Sequence, residues 1–101
     1  MTFFKGESKQ ITLYYRNSSM NLMDMTGYSF SLVGKESELQ SDPMFTMGNT
    51  VFDKTDAANG KIILTFLANM DVQAYLCQIT ATKGTTIDKS PIFKVEVLQS
   101  L

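Results

Sequence analysis

Apolar and polar residues alternate with a period of two in short segments throughout the chain. In Gln10-Ile11-Thr12-Leu13-Tyr14-Tyr15-Arg16, the residues Ile11, Leu13 and Tyr15 fall on one face and Thr12, Tyr14 and Arg16 on the other. That is the pattern of a strand with one buried face. Tyr28, Phe30 and Leu32 alternate with Ser29 and Ser31, and Tyr75, Cys77, Ile79 and Ala81 alternate with Leu76, Gln78, Thr80 and Thr82. Near the end, Phe93, Val95 and Val97 point inward while Lys94 and Glu96 point out, which makes Phe30 and Phe93 expected core residues. Lys61 to Leu67 is apolar on both faces, with Ile62, Leu64 and Phe66 the stronger set, and reads as a central strand.

Polar turn clusters separate these segments at Asn17-Ser18-Ser19, at Asn21 to Gly27, at Asn59-Gly60 and at Lys83-Gly84-Thr85. Gly34 to Pro43 is polar apart from Leu39 and reads as an exposed loop with room for one helical turn. Met44 to Met47 and Thr50 to Asp53 form either two short strands or a hairpin. No segment repeats its apolar residues at the helical spacing, so the expected fold is all-β, an antiparallel sandwich of six to eight strands. A length of 101 residues is that of one domain, residues 1-101.

Composition narrows the chemistry. Nine Lys and Arg against ten Asp and Glu leave no basic footprint for nucleic acid. With no histidine and a single cysteine, the chain alone makes no Ser-His-Asp or Cys-His relay, no histidine-cysteine zinc site and no internal disulfide. No enzyme activity, catalytic residue or cofactor is expected. Cys77 has apolar neighbours and reads as an inert core thiol. Asp53, Asp56 and Asn59 resemble a calcium-binding carboxylate cluster, but they lack the alternate-residue ligand rhythm and read as a solvated loop, so no metal is expected. The N-terminus lacks the apolar stretch of a secretory signal, and no apolar run is long enough to cross a bilayer. Synthesis in the cytoplasm, with no membrane partner, is the expectation.

Two places combine apolar side chains with polar surroundings. Met20, Met23 and Met25 gather in one turn around Asn21 and Asp24, either filling the core or forming an adaptable apolar surface. Phe3 and Phe4 stand ahead of the first alternating segment, either as a strand extension that plugs the sandwich end or as a docking arm over residues 1-7. The arm is the favoured reading, and Phe3, Phe4, Met20, Met23 and Met25 are the candidate interface residues.

The order of these motifs resembles the immunoglobulin-like modules of tailed-phage virions, in particular the N-terminal domain of phage upper baseplate proteins. The matching pieces are Lys5-Gly6-Glu7-Ser8 leading into Ile11-Thr12-Leu13, the corner Leu22-Met23-Asp24-Met25-Thr26-Gly27-Tyr28-Ser29-Phe30, the turn and strand Asn59-Gly60-Lys61-Ile62-Ile63-Leu64, and the last strand from Ile92 to Val97. Gln73-Ala74-Tyr75 stands where that family has Pro-Gly-x-Tyr. The resemblance implies an immunoglobulin-like sandwich in a virion structural protein of baseplate, tail or capsid decoration, docked on other virion proteins as a homo-oligomer or multi-copy assembly. The alternative is a carbohydrate-binding or adhesion module using exposed rings such as Tyr14 and Tyr15 against a host-surface glycan.

Overall fold

The alternating segments become nine strands in two packed sheets in the computed structural model, which describes all residues from Met1 to Leu101. The strands are β1 (Thr2–Phe4), β2 (Ser8–Tyr14), β3 (Ser29–Lys35), β4 (Phe45–Met47), β5 (Phe52–Asp53), β6 (Lys61–Leu67), β7 (Ala74–Lys83), β8 (Thr86–Lys89) and β9 (Phe93–Leu98). The larger sheet has the order β1-β9-β7-β3-β4, with β8 also on β7, and the smaller is β2-β6-β5. All pairs are antiparallel except β1 with β9. About half the residues are in strands, and the only helical pieces are two single 3-10 turns, at Asn49–Val51 and Ala57–Asn59.

This connectivity is a β-sandwich whose strand order parallels that of immunoglobulin domains. In that architecture the second, fifth and fourth strands form one sheet and the third, sixth and seventh the other. Here β2, β6 and β5 take the first set of places, β3, β7 and β9 the second, and β4 extends the second sheet. Tyr75 near the start of β7 donates its hydroxyl to the carbonyl of Asp71 at 2.6 Å, two residues before Cys77, which is the tyrosine corner of such sandwiches. Burial first, and then the Asp71 carboxylate, raise the pKa of this phenol above its ordinary value.

The core follows the sequence pattern. Phe30 and Leu32 of β3, Ile62, Leu64 and Phe66 of β6, Tyr75, Cys77, Ile79 and Ala81 of β7, and Val95 and Val97 of β9 are all buried. Burial pushes the Cys77 thiol up to about 12, in keeping with an apolar site that offers no cation to stabilise a thiolate. Gly60, in the Asn59-Gly60 turn, has a φ of +74°, and a Cβ there would lie 2.8 Å from the Met23 carbonyl oxygen. That turn therefore requires glycine for both its dihedral and its space.

Two expectations are corrected, one open alternative is decided in favour of two short strands, and one further strand is found. Residues 1-7 are not a free arm, because β1 pairs with β9 and buries Phe3, which stacks on Phe66 at 4.6 Å. A parallel pairing beside β9 satisfies the terminal backbone and seals one end of the core, so the strand-extension reading holds. Met44 to Asp53 is not a hairpin, since β4 joins β3 in one sheet and β5 joins β6 in the other. β8 adds a strand after the Lys83-Gly84-Thr85 turn that the pattern did not reveal. Phe93 is half-buried rather than central, because it lies where the two sheets part.

Candidate functional site

The immunoglobulin arrangement places its first strand beside the second, in the same sheet. Here β1 has gone to the opposite sheet, and β2 is left with one unpaired edge. The ladder with β6 shows which backbone groups are free. Tyr15 donates its N–H to the Gly60 carbonyl and Ala68 donates to the Glu7 carbonyl, so odd-numbered residues of β2 form the hydrogen-bonded pairs with β6. The N–H and C=O groups of Ser8, Gln10, Thr12 and Tyr14 therefore point away from the sheet.

Other edges are short or guarded. β1 and β4 have three residues each and β5 has two. β8 has four, and Asp88, opposite the buried Ala81, points its carboxylate inward between the sheets. Short strands and inward charges are the ordinary protections of a sheet edge. β2 is guarded only at its start, by Lys9: it runs for seven residues with no proline, and its stretch Gln10-Ile11-Thr12-Leu13-Tyr14 has no charge.

Behind this edge the sheets diverge. At one end the turn through Gly6 carries the chain from β1 to β2, and Phe3 closes the gap. The Lys9 ammonium covers that end, 5.2 Å over the Phe3 ring and 3.5 Å from the Glu7 carboxylate. Further along lies an apolar cleft of about 320 Å³, lined by Met1, Ile11, Leu13, Ile79, Pro91 and Phe93. Ser90 fixes the rim, its hydroxyl accepting the Ile79 N–H at 2.9 Å and its carbonyl accepting from the Gln78 amide at 2.9 Å. At the mouth, Tyr15 and Asp88 line the same recess. Burial, and then the Asp88 charge, push the Tyr15 phenol up to about 12. Neither of the two ion pairs in the structure involves Asp88.

The five sequence-predicted interface residues do not form one surface. Phe3 is 1% exposed and Met25 0%, so both belong to the core, and Met23 packs half-buried against it. Met25 is drawn in because its N–H donates to the Ala57 carbonyl and anchors the turn under the sheet. Phe4 is 52% exposed and Met20 69%. These two lie near opposite ends of β2, a strand of seven residues and roughly 23 Å at 3.3 Å per residue. Met20 has a φ of 63° at the tip of a loop that Asn17 closes by accepting the N–H groups of Ser19 and Asn21. Tyr14 and Tyr15 point to opposite faces, so they form no joint ring platform; Tyr14 is exposed and Tyr15 packs at 5.8 Å from Phe30.

The site that sequence reasoning missed is the β2 edge itself, with Asp88 beside it. Its signal was the uncharged, proline-free strand, but which edge stays free depends on sheet order. Compared with known proteins, the chain matches no family model and no curated protein sequence.

Proposed function

We propose that the chain is a virion structural module of a tailed phage, acting by protein-protein docking in multiple copies, with strand addition at the β2 edge. The single observation that carries the docking part of this reading is the free edge of β2 over an apolar cleft. An incoming strand would accept and donate hydrogen bonds at Ser8, Gln10, Thr12 and Tyr14 while setting alternate apolar side chains over Ile11 and Leu13. The phage setting is supported by the order of sequence motifs, from the Leu22 to Phe30 corner to the closing strand. An antibody raised against the chain should label intact particles from a lysate of its host, and mass spectrometry should recover the chain in several copies per particle. Recovery only in the particle-free supernatant overturns the reading. Glycan binding keeps one exposed ring on this strand, Tyr14, and an array without signal is the expected outcome.

A further inference from the structure

We infer that the occupant of the β2 edge is the β2 strand of a second copy of this chain, joined antiparallel across a two-fold axis at Thr12. The inference rests on the docking reading above and names its partner.

Three features of β2 select this occupant and this register. First, the outward backbone groups belong to even-numbered residues, so an antiparallel copy must pair even with even. Any odd shift would turn the apolar face of one copy outward. Centring the pair on Thr12 satisfies this parity, with Gln10 opposite the second copy's Tyr14 and Ser8 opposite its Arg16. Second, the same register sets Ile11 of one copy against Leu13 of the other. Both face the cleft and both are only half-buried in the single chain. The two small sheets become one continuous sheet of six strands, and each cleft is closed by the neighbour's apolar face.

The third feature is charge. Lys9 of one copy comes opposite Tyr15 of the other, on the inward face, where Asp88 forms no ion pair within its own chain, although Arg16 and Lys89 line the same recess. Centring on Ile11 would place Lys9 against Leu13, and centring on Gln10 would place it against Ile11; neither brings it to a carboxylate. A centre at Lys9 would oppose two ammonium groups. The Thr12-centred pair therefore joins hydrogen bonding, apolar burial and charge complementarity in one arrangement.

Sedimentation of the full chain over a dilution series tests this, with a species of twice the 11.3 kDa monomer mass expected. Thr12→Pro removes an N–H that serves no bond within the chain, so it should yield a monomer that keeps its far-UV β spectrum. Lys9→Glu and Asp88→Lys should each weaken dimerisation by about tenfold, and the double reversal should restore it to within a few-fold of the parent. If Thr12→Pro unfolds, the charge reversals decide alone. A monomer at every concentration, or a dimer indifferent to all these changes, overturns the inference. Monomerisation by Thr12→Pro with no effect of either charge reversal overturns the Thr12-centred register. A monomer that still labels particles would sink the self-pairing and leave the virion reading standing, whereas a β2-dependent dimer absent from particles would do the reverse.

Discussion

The two flanks of the sandwich are made from the same alternating strands, yet one is sealed and the other stands open. On the sealed flank the chain crosses from β4 to β5 through the turn at Asn49–Val51, and Asn49 holds it to β3 by accepting the Phe30 N–H at 3.0 Å. Rings fill the space between the sheets there: Phe30 stacks on Phe52 at 5.5 Å, and Phe45 stands edge-on to Tyr75 at 5.1 Å and to Phe66 at 6.1 Å. On the open flank the crossing from β1 to β2 closes one end only, with Phe3 as its ring. Beyond Phe3, the aliphatic Ile11 and Leu13 face an unfilled cleft. Sheets stand about 10 Å apart, a gap that interlocking rings span and that a lone row of Ile and Leu leaves partly wet. The difference is therefore one of side-chain reach and of a displaced first strand.

The largest test of that contrast is a pair of truncations. Phe30→Ala should cost about 3 to 5 kcal/mol, because the ring is buried and its neighbours are themselves locked rings. Phe93→Ala, on the lip of the open flank, should cost about half that or less, since part of the ring is already in water. Urea midpoints with an unchanged slope measure both. Equal losses would mean that the open flank is as tightly packed as the sealed one.

A second test overfills the sealed flank. Gly34 sits in β3 beneath Phe45, and a Cβ there would overlap the ring. Phe45 cannot simply swing away, because Tyr75 and Phe66 hold it edge-on. Gly34→Ala should destabilise by about 1 to 3 kcal/mol. A thermal midpoint equal to that of the parent would show that this flank has slack.

How much of this was legible in the sequence depends on how local the signal is. Phe30, Leu32, Ile62, Leu64, Phe66, Ile79 and Val95 are buried as their period predicts, because in a strand the residue two steps away shares the same face whatever the sheet order. β1 was illegible because three residues carry too little alternation to distinguish an arm from a strand. β8 hid for another reason: Ile87 points out and the charged Asp88 points in, the reverse of the usual pattern. The segment Asp71 to Cys77 carried a readable signal for the tyrosine corner, Tyr75 two residues before Cys77, with its hydroxyl reaching a backbone carbonyl four residues upstream. Which edge stays open was not readable, although β2 is uncharged from Gln10 to Tyr14, because it follows from β1 joining β9, a contact between distant segments of the chain.

Alkaline pH provides a smaller test that touches both regions. Cys77 lies in the closed core and Tyr15 at the open lip, and burial raises both, the thiol from 9.0 and the phenol from 10.0, to about 12. The unfolded chain ionises first, so the folded state holds the extra protons. Stability from these groups is therefore full below about pH 9 and falls as pH rises toward 12, at roughly 1.4 kcal/mol per pH unit for a fully buried group. Unfolding curves from pH 8 to pH 10 should fall by about that amount, and Cys77→Ala should flatten most of the fall. A flat profile in the parent chain would place the thiol in contact with solvent.

The smallest expected effect is also the sharpest test of β1. Phe3 and Phe4 are adjacent, but the strand turns Phe3 into the core and Phe4 to the surface beside Leu98. What anchors β1 near Phe4 is backbone: Lys5 donates to the Leu98 carbonyl at 2.8 Å, Glu7 donates to the Phe4 carbonyl at 2.9 Å, and the Phe4 N–H reaches the Glu7 carboxylate at 3.1 Å. None of these bonds depends on the Phe4 ring. Phe4→Ser therefore loses only a cross-strand contact and should change stability by no more than about 0.5 kcal/mol. Phe3→Ser should instead cost more than about 3 kcal/mol, since it removes the ring stacked on Phe66 and leaves a hydroxyl in its place. Comparing the two urea midpoints checks the register of β1 by one residue, because a strand slipped by one would exchange the two results.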